Sequence, residues 1–174
     1  VADCTGHGVP GAFMSMIGNT LLNEIVNERK VTDTKKIAGL LDEKIIHALH
    51  QHEGSEKYDG MDISICCIDK ENKEIQFTGA HHSMYAHNGH LEKIKGDPFS
   101  IGGAQQQQSK LFTSQKIKYE SGVRLYFLTD GYCDQSGGEN NKRFTSLYEQ
   151  KYSMHYLHTA TSLQTKINVD HFWQ

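Results

Sequence analysis

Three features are scarce in this sequence of 174 residues. The first is an excess of positive charge. Its 18 Lys and Arg are outnumbered by 21 Asp and Glu, the formal charge is -3, and no basic face is available to a phosphodiester backbone. Nucleic acid is therefore not an expected partner. The second is any long apolar run. No stretch approaches the roughly 20 residues needed to cross a bilayer, and the first residues do not form a signal peptide, so this segment is expected to make no membrane contact. The third is paired cysteine. Cys4, Cys66, Cys67 and Cys133 form neither a CxxC nor a secreted-type framework, and they read as reduced thiols in a cytoplasmic compartment. The length suits one domain with one buried core, spanning 1–174.

What is present is periodic. From Val9 to about Val26 the residues Phe13, Met16, Ile17, Leu21, Leu22, Ile25 and Val26 recur at three- and four-residue steps, which predicts an amphipathic helix with Pro10 in its first turn. A second helix is predicted from Thr32-Asp33-Thr34 to about Gln51, with Ile37, Leu40, Leu41, Ile45, Ala48 and Leu49 inward. Strands are predicted at Met61–Asp69, Glu74–Gly79, Ser83–His87, His90–Lys95, Gln115–Tyr119 and Val123–Leu128, the last one buried on both faces. Asn88-Gly89 reads as a hairpin turn. Towards the end, Phe144–Tyr148 and Leu163–Phe172 carry weaker helical patterns. Helices followed by an antiparallel meander give an α+β layered domain.

Two segments carry chemistry. In Asp3-Cys4-Thr5-Gly6-His7-Gly8-Val9-Pro10-Gly11 an acid at a strand end precedes a glycine-rich turn and a helix start. In Leu125-Tyr126-Phe127-Leu128-Thr129-Asp130-Gly131 a buried strand delivers a second acid. Each also reads as a plain turn. Two such acids on core strands can meet at one sheet edge and bind Mg2+ or Mn2+ through oxygen.

Four motifs taken in order narrow the reading. DCTGHGVPGAF from Asp3, DGMDISICCID from Asp59, GDPFSIGG from Gly96 and YFLTDGYCDQSGG from Tyr126 resemble the sporulation-stage-II-E branch of the metal-dependent type 2C protein serine/threonine phosphatases. The resemblance implies an α-β-β-α sandwich of two antiparallel sheets flanked by helices, with two Mn2+ or Mg2+ ions at one end. It implies Asp3 as the carboxylate shared by the ions, Cys4 as a ligand through its backbone carbonyl, Asp130 as a ligand of one ion, and Asp134 as a ligand of a weaker third ion. The implied reaction is dephosphorylation of phosphoserine or phosphothreonine on a regulatory partner protein, such as an anti-sigma-factor antagonist, in bacterial signalling. An N-terminal sensor or regulatory domain and a cytoplasmic location, as part of a membrane-bound sensor or otherwise, belong to the same expectation, with a homodimer left open. Family members carry another metal-binding acid on a strand ahead of the first motif and a further acid on a strand after the last. Both ends of this chain therefore read as cut, lacking those two strands, and these residues alone are expected to bind metal and turn over poorly. The alternatives are a non-catalytic regulatory domain of the same fold and a metal hydrolase of small phosphate esters.

Hydroxide attack on phosphorus needs no cysteine nucleophile, so the four thiols read as packing or near-surface groups. His7 reads as structural or as lining the substrate edge rather than as a general acid. His81 and His82, taken as strand neighbours, are expected to face opposite ways and so not to share a metal. Asp62 interrupts an apolar strand and is expected on its opposite face, with a position near the metal edge left open but outside the ligand set.

Overall fold

The computed structural model describes residues 1–51, 59–103 and 110–129, together with the backbone of three short strands at Ser136–Gly137, Lys142–Arg143 and Gln164–Asn168. The chain divides into two compact units, one of Val1–His82 with Lys95–Tyr119, the other of Ser83–Ile94 with Glu120–Gln174.

The first unit packs two helices on an antiparallel sheet. Its elements are β1 (Ala2–Cys4), α1 (Gly8–Asn23), α2 (Thr34–Ala48), β2 (Gly60–Asp69) and β3 (Glu74–Ala80). In the second unit, β4 (Met84–His87) and β5 (Leu91–Ile94) follow. The first unit resumes with β6 (Ile101–Gly102) and β7 (Gln115–Lys118), and the second with β8 (Arg124–Leu128), β9 (Ser136–Gly137), β10 (Lys142–Arg143) and β11 (Gln164–Asn168). The first sheet runs β1-β2-β3-β7, with β6 also pairing β2; the second runs β11-β8-β4-β5, and β9 pairs β10 separately. The α+β expectation of helices with two antiparallel sheets holds.

Local chemistry explains the helix limits. Asp33 accepts hydrogen bonds from the Lys35 and Lys36 amides at 3.1 and 3.4 Å, satisfying two of the donors that open α2. Thr34, fully buried, bonds Thr78 on β3 through the two hydroxyls at 2.8 Å and so pins that end of the helix to the sheet. Beyond α1 the chain widens into a π-helical turn over Glu24–Glu28, where the Arg29 amide donates to Glu24 O. Lys30, with φ 55°, then ends the run. The Glu24 carboxylate holds Arg29 from the same turn and Lys44 from α2, and these two cations keep it below the usual carboxylate range.

The core face of α1 is displaced from the one its sequence suggests. Met14, Gly18 and Ile25 are buried, with Ile17, Leu21 and Leu22 half-buried beside them, whereas Phe13 and Met16 are 60% and 66% exposed and Val26 lies at the surface. The apolar positions are spread too widely for the sheet to cover all of them, and Gly18 is what lets Met61 of β2 sit close against the helix. Ala48, expected inward on α2, is also exposed, because the helix ends there.

The strands lie close to their predicted positions. In the second unit β8 is central, and Leu125, Tyr126 and Phe127 in succession are at most 2% exposed, as a strand covered on both faces requires. The helical pattern at Leu163–Phe172 is a correction: Gln164–Asn168 is a strand, antiparallel to β8 with Ile167 opposite Leu125. Ladder bonds to an otherwise open edge of β8 outweigh the local apolar spacing. The pattern at Phe144–Tyr148 falls outside the described residues.

Candidate metal centre

β1 is short and pairs on one side with β2, placing Ala2 opposite Ile63, Asp3 opposite Asp62 and Cys4 opposite Met61. Met61 and Ile63 are buried and Cys4 packs against the same cluster as the helices, so Asp3 and Asp62 share the other face of the sheet. Asp3 is half-buried. Reciprocal bonds between Val1 and Ser64 fix the alternation of the ladder, which makes Asp3 and Asp62 a hydrogen-bonded pair and turns the Cys4 carbonyl away from β2.

The turn after β1 is held by Thr5. Its amide and hydroxyl donate to Gly60 O at 2.9 and 3.0 Å, and its hydroxyl oxygen accepts from the Gly60 amide at 2.8 Å. Gly6 takes φ 88°, and a Cβ on Gly11 would stand 2.7 Å from Gly6 O, so the loop folds directly onto the first turn of α1. His7 occupies the N-cap position without a side-chain capping bond, and is exposed.

Asp62 is more elaborately held than an alternating strand residue requires. His81 Nδ1 donates to its Oδ2 at 2.7 Å, and the Ser100 hydroxyl donates to its Oδ1. His82 Nδ1 meets the Ser64 hydroxyl at 2.8 Å, two residues along the same strand. The expectation that His81 and His82 point to opposite faces therefore fails. They lie in the turn after β3, where His81 adopts φ 54° and the alternation of a strand no longer applies. That turn is locked against the GDPFSIGG segment. The His81 amide donates to Asp97 O and the Asp97 amide to Gly79 O, both at 2.8 Å, at a crossing where a Cβ on Gly79 would strike His82 O.

The rest of GDPFSIGG is clamped from α2. Asp42, buried on α2, accepts from the Gly102 amide at 2.7 Å and from Lys110 Nζ at 2.9 Å; Lys110 also donates to Ser100 O and Gly102 O. Asp97 accepts from the Thr113 amide and hydroxyl, both at 2.8 Å. Neither clamp is visible in the spacing of the sequence.

The donors β1 offers are oxygens, the Asp3 carboxylate and the Cys4 carbonyl, and this chemistry fits a hard cation such as Mg2+ or Mn2+. No three His, Cys, Asp or Glu side chains among the described residues could by themselves hold an ion. Asp130 and Asp134 lie outside the described residues. Of the cysteines, Cys4, Cys66 and Cys67 are free thiols; burial pushes the Cys66 thiol up to about 12 and raises Cys67 as well, which suits packing and not nucleophilic attack.

Solved structures with the same fold include two PP2C domains. The SiaA-PP2C domain of Pseudomonas aeruginosa superposes with a TM-score of 0.72 at 28% identity, over 86% of this chain and 57% of that one. The PP2C phosphatase domain of SpoIIE from Bacillus subtilis, with a fragment of its regulatory domain, gives 0.62 at 20% identity over 87% and 42%. RsbX in complex with magnesium gives 0.54 at 16% identity over 95% and 75%. The chain thus spans a little over half of the SiaA structure and less than half of the SpoIIE structure. No curated protein sequence matches significantly. The Stage II sporulation protein E (SpoIIE) profile matches residues 1–172, and the chain belongs to that family.

Proposed function

We propose that this chain hydrolyses phosphoserine or phosphothreonine on a regulatory partner protein, such as an anti-sigma-factor antagonist, in bacterial signalling. The observation that carries the reading is the placement of Asp3 on a rigid edge strand, beside an outward carbonyl, in a chain matched by the SpoIIE profile over residues 1–172. The proposed ligands are the carboxylates of Asp3, Asp130 and Asp134 and the carbonyl of Cys4, with Asp3 and Asp130 the catalytic pair. When bound, two Mn2+ or Mg2+ ions would activate water and neutralise charge on the phosphoryl group.

The protein's own part is positional. β1 presents the Asp3 carboxylate at a fixed height in the ladder, and the Thr5–Gly60 bonds hold the turn that follows it. No thiol is asked to form a covalent intermediate, in keeping with the raised Cys66 and Cys67. His7, at the exposed start of α1, is assigned to the substrate edge. No helix among the described residues is long and apolar enough to cross a membrane. Membership of the SpoIIE family is what supports a cytoplasmic domain downstream of a sensor or regulatory segment.

Parallel assays on a phosphoserine peptide, a small aryl phosphate and a chelated control test this reading. Mn2+-dependent release of phosphate from the peptide supports it. Turnover of the aryl phosphate alone would make the protein a small-ester hydrolase, and no turnover of either would make it a non-catalytic domain.

A further inference from the structure

We infer that Asp62, fixed by His81 and Ser100 directly opposite Asp3 in the β1–β2 ladder, is a positioning residue for a cation held by Asp3. The inference rests on the metal-dependent reading above.

Three observations meet at this residue. The first is register: Asp3 and Asp62 are partners in an antiparallel pair, so their side chains leave the same face as immediate neighbours. Like charges in that relationship oppose folding unless something of opposite sign lies between or beside them. The second is anchoring. His81 takes one carboxylate oxygen and Ser100 the other, which fixes the plane of the carboxylate and leaves it further acceptor capacity. The third is the source of the anchors. His81 is set by the crossing of the turn after β3 with Asp97, and Ser100 by the segment that Lys110 and Asp42 tie to α2. Three separate parts of the chain thus converge to hold a negative charge next to Asp3.

A carboxylate held in this way suits a hard cation. Such ions retain several waters when bound by one or two carboxylates, and a neighbouring carboxylate that accepts from those waters orients them and raises the local affinity. Asp62 does not need to touch the ion for this; it needs to keep its charge and its orientation. His81 and Ser100 secure the orientation, and the cation relieves the repulsion between Asp62 and Asp3.

The test uses the nearly isosteric Asp62→Asn variant and two readouts, Mn2+ binding by calorimetry and thermal unfolding of the metal-free protein. Loss of the charge is expected to weaken Mn2+ binding about 10- to 100-fold. It is expected to raise the metal-free melting temperature by about 1–3 °C, because the repulsion across the ladder disappears. A residue that merely joined loops would do the reverse to the metal-free protein and leave Mn2+ affinity alone. His81→Ala is expected to weaken Mn2+ binding by loosening Asp62, and His81→Asn, whose amide can replace the Nδ1 donor, to restore most of it. Unchanged Mn2+ affinity in Asp62→Asn, or a fall in its metal-free melting temperature, would overturn the inference, as would a parent protein that binds no Mn2+. The phosphatase reading fails separately: a protein with the expected Mn2+ and melting behaviour but no phosphopeptide hydrolysis loses that function and keeps this role for Asp62.

Discussion

Lys110 and Asp42 form an ion pair of 2.9 Å whose side chains are only 6% and 11% exposed. The same ammonium also reaches Ser100 O and Gly102 O, so all three of its donors are used inside the protein. Removing one partner from such a pair leaves a buried charge without compensation, at a cost of about 3–5 kcal/mol. Lys110→Met is therefore expected to lower stability by about that amount in urea unfolding, and adding Asp42→Asn to recover part of it. Equal stability of Lys110→Met and the parent would show that the pair contributes nothing.

In the second unit, β8 carries the clearest core. Leu125 is fully buried and Phe127 is 2% exposed. Leu125→Ala should cost about 2–5 kcal/mol and Phe127→Ala about 3–5 kcal/mol, read as a lowered midpoint in chemical unfolding at constant slope. A loss below about 1 kcal/mol at both positions would contradict this packing.

Glu24 gives a pH dependence of known sign. Its folded pKa is depressed by hydrogen bonds from Lys44 and then Arg29, so the stability it contributes is present above the unfolded carboxylate value, about 4.3, and is lost as pH falls towards the folded value. The stability difference between the parent and Glu24→Gln should accordingly be constant from neutral pH to about pH 5 and shrink below it. A difference that grows on acidification would reverse the assignment.

Cys66 makes a chemical prediction. With its thiol raised to about 12 by burial, it should resist iodoacetamide at pH 8 in the folded protein and react after denaturation, as read by peptide mass spectrometry. Rapid labelling of folded Cys66 would show that the strand does not bury it.

Much of this arrangement was legible where local chemistry decides it. Asp33 announces α2 by capping, and the run Leu125–Leu128 announces a covered strand by its unbroken apolarity. The face of α1 was not legible, because Phe13 and Met16 fit the helical period as well as Met14 does, and only the position of the sheet chooses between them. The strand at Gln164–Asn168 read as helix because its pairing with β8 is non-local. Asp3 stood out in its motif, but the role inferred for Asp62 rests on the register of β1 on β2 and on bonds from His81 and Ser100. Those partners lie 19 and 38 residues away, and no spacing rule joins them.

The most direct test of the central claim is the initial rate of phosphoserine-peptide hydrolysis across a Mn2+ titration, for the parent, Asp3→Asn and Asp130→Asn. Both substitutions are nearly isosteric and remove one negative oxygen ligand each, so the fold should persist by circular dichroism while the rate falls by orders of magnitude and excess Mn2+ restores it only partly. Full activity in Asp3→Asn, or in the parent after complete removal of divalent cations, would contradict the account.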